Sequence, residues 1–279
     1  MDDHERQISG MRIDAETARR YLTMYLREAP VAVALWRSIE AAVLSTVELP
    51  GPVLDVGCGF GEFARLFFRD RDMPDVGVDI DRGELGRVAA EPRPIYRSIL
   101  QCDARRLPFG GGSFASAISV STMEHIPDVE GTIYEVARVL RPGGVFAYTV
   151  PMEPLNRNLI GHRALRLANS SVADAYARAV HKGLTHVNVW PADRWLEMTR
   201  GAGFSIERSA ATISLRATMA FEALLPAAFV NRLWRVATGK RPPHPELFVR
   251  AAERALRPLV MQDSAGGSNL FVVARKPAG

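Results

Sequence analysis

A glycine-rich turn directly after a buried strand constrains this chain more than any other feature. Val53–Val56 has the apolar pattern of a short buried strand, and the residues GCGFG follow it at positions 57–61. Glycines at such a point let the backbone turn sharply and approach a ligand at the N-terminus of the next helix. The dinucleotide-binding pattern GxGxxG would need its third glycine at position 62, which is Glu62. Because Asp55 inside the strand would repel a pyrophosphate and attract a cation, we expect a ligand that carries positive charge.

Short apolar strands alternate with helices of about ten residues along most of the remaining chain. Strands are predicted at 76–79, 98–102, 115–120, 145–150, 204–208 and 269–274. Helices are predicted at 62–69, 83–90, 129–140, 163–181 and 192–201. Such alternation is typical of an α/β fold whose mostly parallel sheet is covered by helices on both faces. We therefore expect a doubly wound, seven-stranded, Rossmann-like sheet.

Further segments surround this core. Residues 1–50 carry two helical patterns interrupted at Pro30, and we expect them to form an N-terminal helical cap. The core is expected to comprise 51–150, 191–212 and 269–279. The insertions 151–190 and 213–268 both leave the sheet at the carboxyl ends of strands, where ligands bind in open parallel sheets. We therefore expect these insertions to form helical lids over the site.

Composition narrows the class of protein. With 279 residues, 47% hydrophobic and 24% charged, the chain can bury one large core. No stretch approaches the ~18 consecutive apolar residues of a membrane span, and the N-terminus lacks the apolar run of a secretory signal. Cys58 and Cys102 belong to no CxxC or Cys/His cluster, so reduced thiols and no metal site are expected. Together these features predict a cytoplasmic protein.

Positive charge is concentrated in the second half of the chain. Residues 151–279 contain 18 Lys and Arg against nine Asp and Glu, whereas the whole chain has a net charge of +4. Arg163 and Arg166 lie three positions apart on one predicted helix and could clamp a phosphate or carboxylate of a substrate. A solvated basic face is the alternative explanation for this pair.

Apolar and basic residues also alternate over 229–241. This pattern is compatible with an anionic membrane surface, and therefore with peripheral membrane contact. Packing within a lid or a dimer explains the same pattern.

Five motifs in order resemble the class I S-adenosylmethionine-dependent methyltransferase family, in its small-molecule branch. They are DVGCGFG at 55–61, GVDID at 77–81, CDA at 102–104, FASAISVSTMEH at 114–125 and LRPGG at 140–144. The resemblance runs over 53–150, resumes around 185–208 and includes the last strand. It implies the methyltransferase form of the doubly wound fold, with S-adenosylmethionine as the cofactor. A Rossmann-like domain that binds another ligand is the alternative.

The resemblance also implies which residues hold the cofactor. Its methionine part would lie against Asp55, Gly57, Gly59, Gly61, Ser119 and Val120. Asp79 would accept hydrogen bonds from both ribose hydroxyls, as a carboxylate with two oxygens can. Ile80 would flank the adenine ring. Asp103, beside Ala104, would read the adenine amino group.

Methyl transfer from a sulfonium depends mainly on positioning, so a general base is optional. His125, just after the fourth strand, is a catalytic candidate at the edge where the methyl group should point, with packing as the alternative role. Glu124 beside it and Glu153 remain candidates. His186 is the second catalytic candidate, because it opens a segment that resembles the acceptor-pocket segment of the family and ends at Trp190. Trp190 and His181 are candidate substrate residues, although a histidine at a helix end, as His181 is, is more often a solvated residue.

Three functions remain open. The first is methyl transfer to an oxygen or carbon atom of a small organic acceptor, which could be anionic, phosphorylated or lipophilic. The second is a non-methylating role for a cofactor-binding fold, as a scaffold or a cyclase. A sequence pI of about 9.3 would also fit RNA methylation, but the sequence has no RNA-binding module and has STME at 121–124 in place of an NPPY-type tetrapeptide. We therefore expect a small-molecule acceptor and no specific nucleic acid partner.

Overall fold

Seven strands form one sheet in the computed structural model, which describes residues 8–238 and 244–278. The strands are β1 Val53–Val56, β2 Val76–Asp79, β3 Ser98–Gln101, β4 Phe114–Val120, β5 Leu140–Pro151, β6 Ser205–Thr212 and β7 Asn269–Arg275. Their order across the sheet is β3-β2-β1-β4-β5-β7-β6. β1 pairs in parallel with β2 and β4, β2 with β3, and β4 with β5. The predicted α/β fold with a mostly parallel, seven-stranded sheet is confirmed.

Helices connect the parallel strands and form the segments outside the sheet. They are α1 Ala15–Glu28, α2 Val31–Leu44, α3 Glu62–Phe67, α4 Arg82–Ala89, α5 Val129–Val139, α6 Pro154–Asn158, α7 Ile160–Arg166, α8 Ser170–Gly183, α9 Ala192–Gly201, α10 Leu215–Thr238 and α11 Glu246–Val260. A short 3₁₀ turn, Met123–His125, follows β4. α3, α4 and α5 provide the crossovers that neighbouring parallel strands require.

The strand order reverses at β1, which lies between β2 and β4. Asp55 of β1 pairs with Gly77 of β2 and with Ile118 of β4. Every residue of β1 and β4 is buried, as expected for central strands that helices cover on both faces. In such sheets ligands bind beyond the carboxyl ends of the strands, at the point of reversal. The segments that follow β1, β2 and β4 therefore form the expected ligand-binding edge.

The helix predicted over 163–181 is wrong as a single element, because the chain forms two helices, α7 and α8, in this region. Asn169 separates them, and its side chain accepts a hydrogen bond from the Val172 N–H at 3.2 Å. Asparagine is a preferred residue at the position before a helix, since its side chain satisfies a backbone donor of the first turn. This cap lets a new helix begin at Ser170.

The strand predicted to begin at Val145 begins earlier, at Leu140. Phe114 pairs with Leu140 while Ser116 pairs with Val145, so residues 141–144 form an irregularity of the bulge type. The sequence LRPGG at 140–144 ends α5 as predicted. Leu140 already pairs with β4, so β5 begins before the bulge.

Contacts divide the chain into two compact units. The first comprises the N-terminal segment up to Val43, Glu153–Leu184 and Ala210–Asn269. The second comprises Leu44–Met152, Thr185–Ser209 and the C-terminal segment from Leu270. The first unit thus contains most of the predicted cap and insertions, and the second contains most of the predicted core. The role of the insertions as lids stays a prediction.

Within the first unit, the N-terminal helix is capped and packed. Asp14 accepts hydrogen bonds from the Glu16 and Thr17 N–H groups at 3.0 and 2.9 Å. α1 packs against α11, and Arg27 forms an ion pair with Glu246 at 2.8 Å. Among the described residues, no helix combines the length and apolar character needed to cross a lipid bilayer.

Peripheral membrane contact was predicted for the segment 229–241, whose side chains lie outside the described residues. The side chains of 229–238 and all of 239–243 lie outside the described residues. Peripheral contact through this segment stays a prediction.

Candidate active site

The turn after β1 contains three glycines in left-handed backbone conformations. Gly57, Gly59 and Gly61 have φ angles of 74°, 53° and 74°, which residues with a side chain rarely adopt. A Cβ at position 57 would lie 1.9 Å from Cγ2 of Thr122, so packing alone excludes a side chain there. A Cβ at position 59 would meet no described atom within 4 Å. The backbone at Gly59 therefore borders open space.

Asp79, the last residue of β2, fastens this turn. Its Oδ2 accepts the Gly59 N–H at 2.7 Å, and its Oδ1 accepts the Asp81 N–H at 2.9 Å. A carboxylate has about four acceptor positions, so each oxygen keeps one for a further donor. The next side chain, Ile80, is 67% exposed, which is uncommon for isoleucine. A carboxylate beside an exposed apolar side chain suits a ligand that joins a hydroxylated sugar to a flat ring.

Asp55 lies inside β1 with only 4% of its surface exposed. The Tyr96 hydroxyl donates a hydrogen bond to Asp55 Oδ2 at 2.7 Å. Burial, and next the charge of Asp55, raise the pKa of Tyr96 well above its usual value, so this hydroxyl stays protonated and donates. The Tyr96 ring packs on Gly77, where a Cβ would lie 3.0 Å from three ring carbons. Sequence reasoning missed Tyr96, and a glycine inside β2 was the available signal of such close packing.

Asp103 and Ala104 lie in the loop after β3. The Asp103 carboxylate accepts a hydrogen bond from Arg105 Nη2 at 2.7 Å and one from the Arg105 backbone N–H at 2.9 Å. These bonds hold the pKa of Asp103 below its usual value, so the carboxylate is ionised at neutral pH. Recognition of an amino group by Asp103 would require it to share its oxygens with Arg105. The predicted adenine contact stays a prediction.

The end of β4 is tied to the turn after β1. Ser119 is fully buried, and its hydroxyl donates to the Val56 carbonyl oxygen at 3.1 Å. Thr122 Oγ1 donates to the Gly57 carbonyl oxygen at 3.0 Å. Val120 is buried as well. Ser119 and Val120 thus contribute to packing between strands, and the contact of either with the methionine part of a cofactor stays a prediction.

Both cysteines remain thiols at neutral pH. Burial, followed by the charges of Asp55 and Asp79, raises the pKa of Cys58 far above its usual value. Burial likewise raises the pKa of Cys102 to about 11. Because the thiolate is the reactive form, neither cysteine is poised to act as a nucleophile.

The 3₁₀ turn after β4 brings Glu124, His125 and His186 together. The two imidazole rings have centroids 5.3 Å apart, and His125 Nε2 lies 3.8 Å from Glu124 Oε1. His125 Nδ1 lies 2.9 Å from the carbonyl oxygen of Thr185. A carbonyl oxygen only accepts, so Nδ1 carries the hydrogen in this bond and the neutral ring has its lone pair on Nε2. Nε2 is therefore the His125 nitrogen that is able to accept a proton.

Asn188, in the segment that carries His186, holds this arrangement in place. Its side-chain N–H groups donate to the carbonyl oxygens of Met123 at 3.1 Å and Ile126 at 2.6 Å. The backbone N–H groups of Val187 and Asn188 donate to the Glu124 carbonyl oxygen at 2.8 and 3.0 Å. Sequence reasoning named Glu124 and both histidines but missed Asn188, because its role depends on a contact between distant segments.

Trp190, a substrate candidate, lies in the second unit close to the start of α9. Its ring centroid is 5.1 Å from that of Trp195, and the Arg194 guanidinium lies 3.8 Å from the Trp190 ring centroid. A cation at this distance over an indole face is stabilised by the ring. Trp190 is half-buried by these contacts, and its contact with a substrate stays a prediction.

The other substrate candidates belong to the first unit. Arg163 and Arg166 are exposed in the last turn of α7. His181 is half-buried at the end of α8 and forms a hydrogen bond with Asn156, so it is not a solvated helix-end residue. Burial lowers the pKa of His181 below its usual value. A role for these three side chains in substrate binding stays a prediction.

Comparison with known proteins shows the family and the fold of the chain. A family described as a methyltransferase domain matches residues 54–148. An uncharacterized methyltransferase of Mycobacterium sp. (strain JLS) is 34% identical over 179 residues, which are 62% of this chain and 67% of that protein. Sterol 24-C-methyltransferase ERG6B of Gibberella zeae is 35% identical over 98 residues, which are 34% of this chain and 26% of that protein. The crystal structure of the cyclase SpnF has a TM-score of 0.58 at 18% identity and covers 98% of this chain and 88% of that one, which shows a common fold.

The matched family segment contains the glycine turn, Asp79 and the 3₁₀ turn that carries His125. The mycobacterial relative extends the similarity beyond that segment, to about two thirds of the length of that protein. The chain belongs to the class I S-adenosylmethionine-dependent methyltransferase family.

Proposed function

We propose that this protein transfers the methyl group of S-adenosylmethionine to an oxygen or carbon atom of a small organic acceptor. One observation carries the proposal. The glycine turn at 57–61 is held by the Asp79 carboxylate, and Thr122 joins it to the segment that leads to His125 and His186. A cofactor site and a group suited to an acceptor therefore occur on connected segments.

The residues at the ends of β1 and β2 suit S-adenosylmethionine. Bound there, this cofactor would supply a methyl group on a positively charged sulfur, which is already activated for displacement. The open space at Gly59 would admit it, and the remaining acceptor positions of Asp79 would take the ribose hydroxyls. Ile80 would cover one face of the adenine. The carboxylate of Asp55 adds negative charge close to the turn, which favours a cation over a pyrophosphate.

On the acceptor side, His125 is the proposed proton acceptor. Its ring is oriented by the Thr185 carbonyl, so the lone pair of Nε2 is available to a hydroxyl or an acidic C–H of the acceptor. Protonation of Nε2 would give an imidazolium 3.8 Å from the Glu124 carboxylate, which would stabilise the positive charge. His186, whose ring centroid lies 5.3 Å from that of His125, is proposed to contact the acceptor as well.

The acceptor is proposed to be lipophilic or anionic. Similarity to a sterol C-methyltransferase over 98 residues supports a lipophilic acceptor and attack by carbon. An anionic acceptor stays a prediction from the sequence, motivated by the pair Arg163 and Arg166, which is exposed on α7.

A non-methylating role is the second candidate function. The likeness in fold to the cyclase SpnF motivates it, since the same fold occurs in a protein whose name describes a cyclisation. In that case the cofactor-binding residues would serve to organise the site, without transfer of the methyl group.

Calorimetric titration with S-adenosylhomocysteine, followed by an acceptor screen, tests the proposal. We expect the wild-type chain to bind, and Asp79→Ala to bind at least ~10-fold more weakly, because hydrogen bonds to a charged group contribute about 1.5–3 kcal/mol. Asp79→Asn keeps the shape of the side chain but can accept only one of the two backbone N–H bonds, so urea unfolding of both variants checks that the loss is not one of folding. Asp72→Ala is the matched control, because Asp72 is exposed on the preceding loop. Undiminished affinity in both Asp79 variants would contradict the cofactor site.

The screen measures formation of S-adenosylhomocysteine with hydroxylated, phosphorylated and prenylated acceptors. We expect turnover with at least one class, and a rate lower by roughly 100-fold in His125→Ala, as for loss of a general base. His244→Ala, a histidine of the first unit, should leave that rate unchanged. Cofactor binding without turnover on any acceptor would favour the non-methylating role.

A further inference from the structure

The cluster of Glu124, His125 and His186 has a composition that proton transfer alone does not require. One ligand atom from each of the three residues lies within 4.8 Å of the others. The donor atoms are two imidazole nitrogens and one carboxylate oxygen. This set occurs in catalytic zinc sites with two histidines and one glutamate, and in other sites for divalent first-row metals.

The orientation of His125 suits a ligand of a metal ion. A metal-bound histidine usually donates its second ring N–H to a carbonyl or carboxylate, which fixes the tautomer. The Nδ1–H of His125 makes this bond to the Thr185 carbonyl at 2.9 Å. The nitrogen that faces Glu124 Oε1 is consequently the unprotonated Nε2, 3.8 Å away.

The backbone around the cluster is held in an uncommon conformation. Thr185 has a φ of 60°, in the left-handed region that β-branched residues rarely adopt. Asn188 and the backbone N–H groups near it fasten this segment to the turn at Met123–His125. Such conformations persist where the surrounding bonds hold them, and they concentrate at functional sites. The strain at Thr185 aims its carbonyl at the His125 ring.

The dimensions of the cluster are close to those of a bound site. Around a four-coordinate ion with ligand bonds of about 2.1 Å, ligand atoms lie about 3.4 Å apart. The three atoms lie within 4.8 Å of one another, so each spacing would have to shorten by at most about 1.4 Å for all three to bind one ion. Glu124 is buried, His186 half-buried and His125 exposed. The exposed side of the cluster leaves room for a further ligand.

We propose that Glu124, His125 and His186 bind a divalent metal ion of the zinc type, with an open position for an oxygen of the acceptor. This inference rests on the proposed function and specifies its acceptor as one that offers a hydroxyl or enol oxygen. The oxygen binds the ion, and its proton leaves to solvent because coordination lowers its pKa. The oxygen lone pair then forms the bond to the methyl carbon while the carbon–sulfur bond breaks and its electron pair stays on sulfur. Nε2 of His125 acts in this state as a ligand of the ion and not as the proton acceptor.

Metal titration of the full chain tests the inference separately from activity. After dialysis against a chelator, we expect about one equivalent of Zn²⁺ to bind in calorimetry, and Co²⁺ to give the visible absorption bands of a four- or five-coordinate site. His125→Ala, His186→Ala and Glu124→Gln should each weaken Zn²⁺ binding at least ~10-fold. His244→Ala and Glu197→Gln are the matched controls and should bind as the wild type does.

Titration with S-adenosylhomocysteine on the same samples separates the two proposals and reports folding. Normal affinity for this nucleoside with no Zn²⁺ binding, or with Zn²⁺ binding unchanged in the His125→Ala/His186→Ala double variant, would overturn the metal site alone. Zn²⁺ binding that is lost in the variants, in a chain that does not bind the nucleoside, would overturn the proposed function and leave the metal site supported.

Discussion

At the scale of single residues, the three carboxylates of the proposed cofactor site have different surroundings. Asp79 keeps acceptor capacity beside an open turn, Asp55 is buried against the Tyr96 hydroxyl, and Asp103 is bound by Arg105. The motifs predicted the carboxylates, because each one lies in or shortly after a recognisable strand. They could not predict Tyr96, since it lies in an irregular loop and reaches Asp55 only through the fold. We therefore expect Asp79 to contribute most to cofactor affinity.

The glycines of the turn provide a prediction at this scale. We expect Gly59→Ala to weaken binding of S-adenosylhomocysteine at least ~10-fold, because the added Cβ would enter the space of the ligand. The left-handed backbone at this position should also cost the variant about 1–2 kcal/mol of stability. Gly143→Ala is the matched control, since Gly143 has a φ of 77° and a Cβ there would meet no described atom within 4 Å. It should lose similar stability and keep normal affinity. Gly57→Ala should be the least stable of the three in urea unfolding, since its Cβ would overlap Thr122.

If Gly59→Ala and Gly143→Ala bind the nucleoside equally well, Gly59 does not border the cofactor. Calorimetry on both variants, with unfolding measured in parallel, distinguishes this result from a general loss of structure.

At the scale of helices and strands, hydrophobic pattern and turn residues predicted the core well. All seven strands were located, because buried parallel strands are short apolar runs bounded by glycine, proline or aspartate. The two errors have local causes: Asn169 starts a second helix inside one continuous pattern, and residues 141–144 form a bulge within β5. The contact between Asn188 and the turn Met123–His125 could not be predicted, because it joins segments that are far apart in sequence. Its effect on the arrangement of the site could not be predicted either.

An ionised side chain on α5 allows a prediction at this scale. Glu135 Oε2 accepts the Leu107 N–H at 2.7 Å, and Arg138 donates to Glu135 Oε1 at 2.7 Å, so this carboxylate holds the loop before β4. The Arg138 and Leu107 hydrogen bonds hold the pKa of Glu135 below its usual value. A depressed pKa stabilises the fold above the unfolded-state value of about 4.5, and this stabilisation is lost as the pH falls through the lower folded value.

We therefore expect Glu135→Gln to lower the free energy of unfolding by about 1–2 kcal/mol at pH 7. The difference from wild type should shrink as the pH falls below the unfolded-state pKa and through the lower folded-state pKa, because the wild-type carboxyl then becomes protonated too. Urea unfolding followed by tryptophan fluorescence measures both values, with the exposed Glu197→Gln as the control. A difference that stays constant with pH would show that the charge of Glu135 is not what holds the loop.

At the scale of the whole molecule, the proposed roles are divided between the two compact units. The proposed cofactor residues and the cluster of Glu124, His125 and His186 all belong to the second unit. Arg163, Arg166 and His181 belong to the first. The motifs lie almost entirely in the second unit, and this explains why the sequence predicted the cofactor in detail and left the acceptor open. Residues on helices that recognise a substrate follow no sequence spacing comparable to that of the cofactor motifs, because exposed arginines have many roles.

Hydrogen exchange in the full chain gives a prediction at this scale. With saturating S-adenosylhomocysteine, we expect slower amide exchange in peptides from 53–61 and 76–81, because the ligand would restrict opening of the segments it contacts. Peptides from β6, Ser205–Thr212, at the opposite edge of the sheet from β2 and β3, serve as the internal reference and should exchange at an unchanged rate. Slowing in the reference alone, or no slowing in the two strand-end segments, would place the ligand elsewhere.

Thr122 bears on how accurately the two reactants would be brought together. Its methyl group fills the place that a side chain at position 57 would need, and its hydroxyl is bonded to the Gly57 carbonyl. Only two residues separate it from His125. The spacing between methyl donor and acceptor would therefore be set by a few covalent bonds and one side-chain contact inside a single rigid sheet edge.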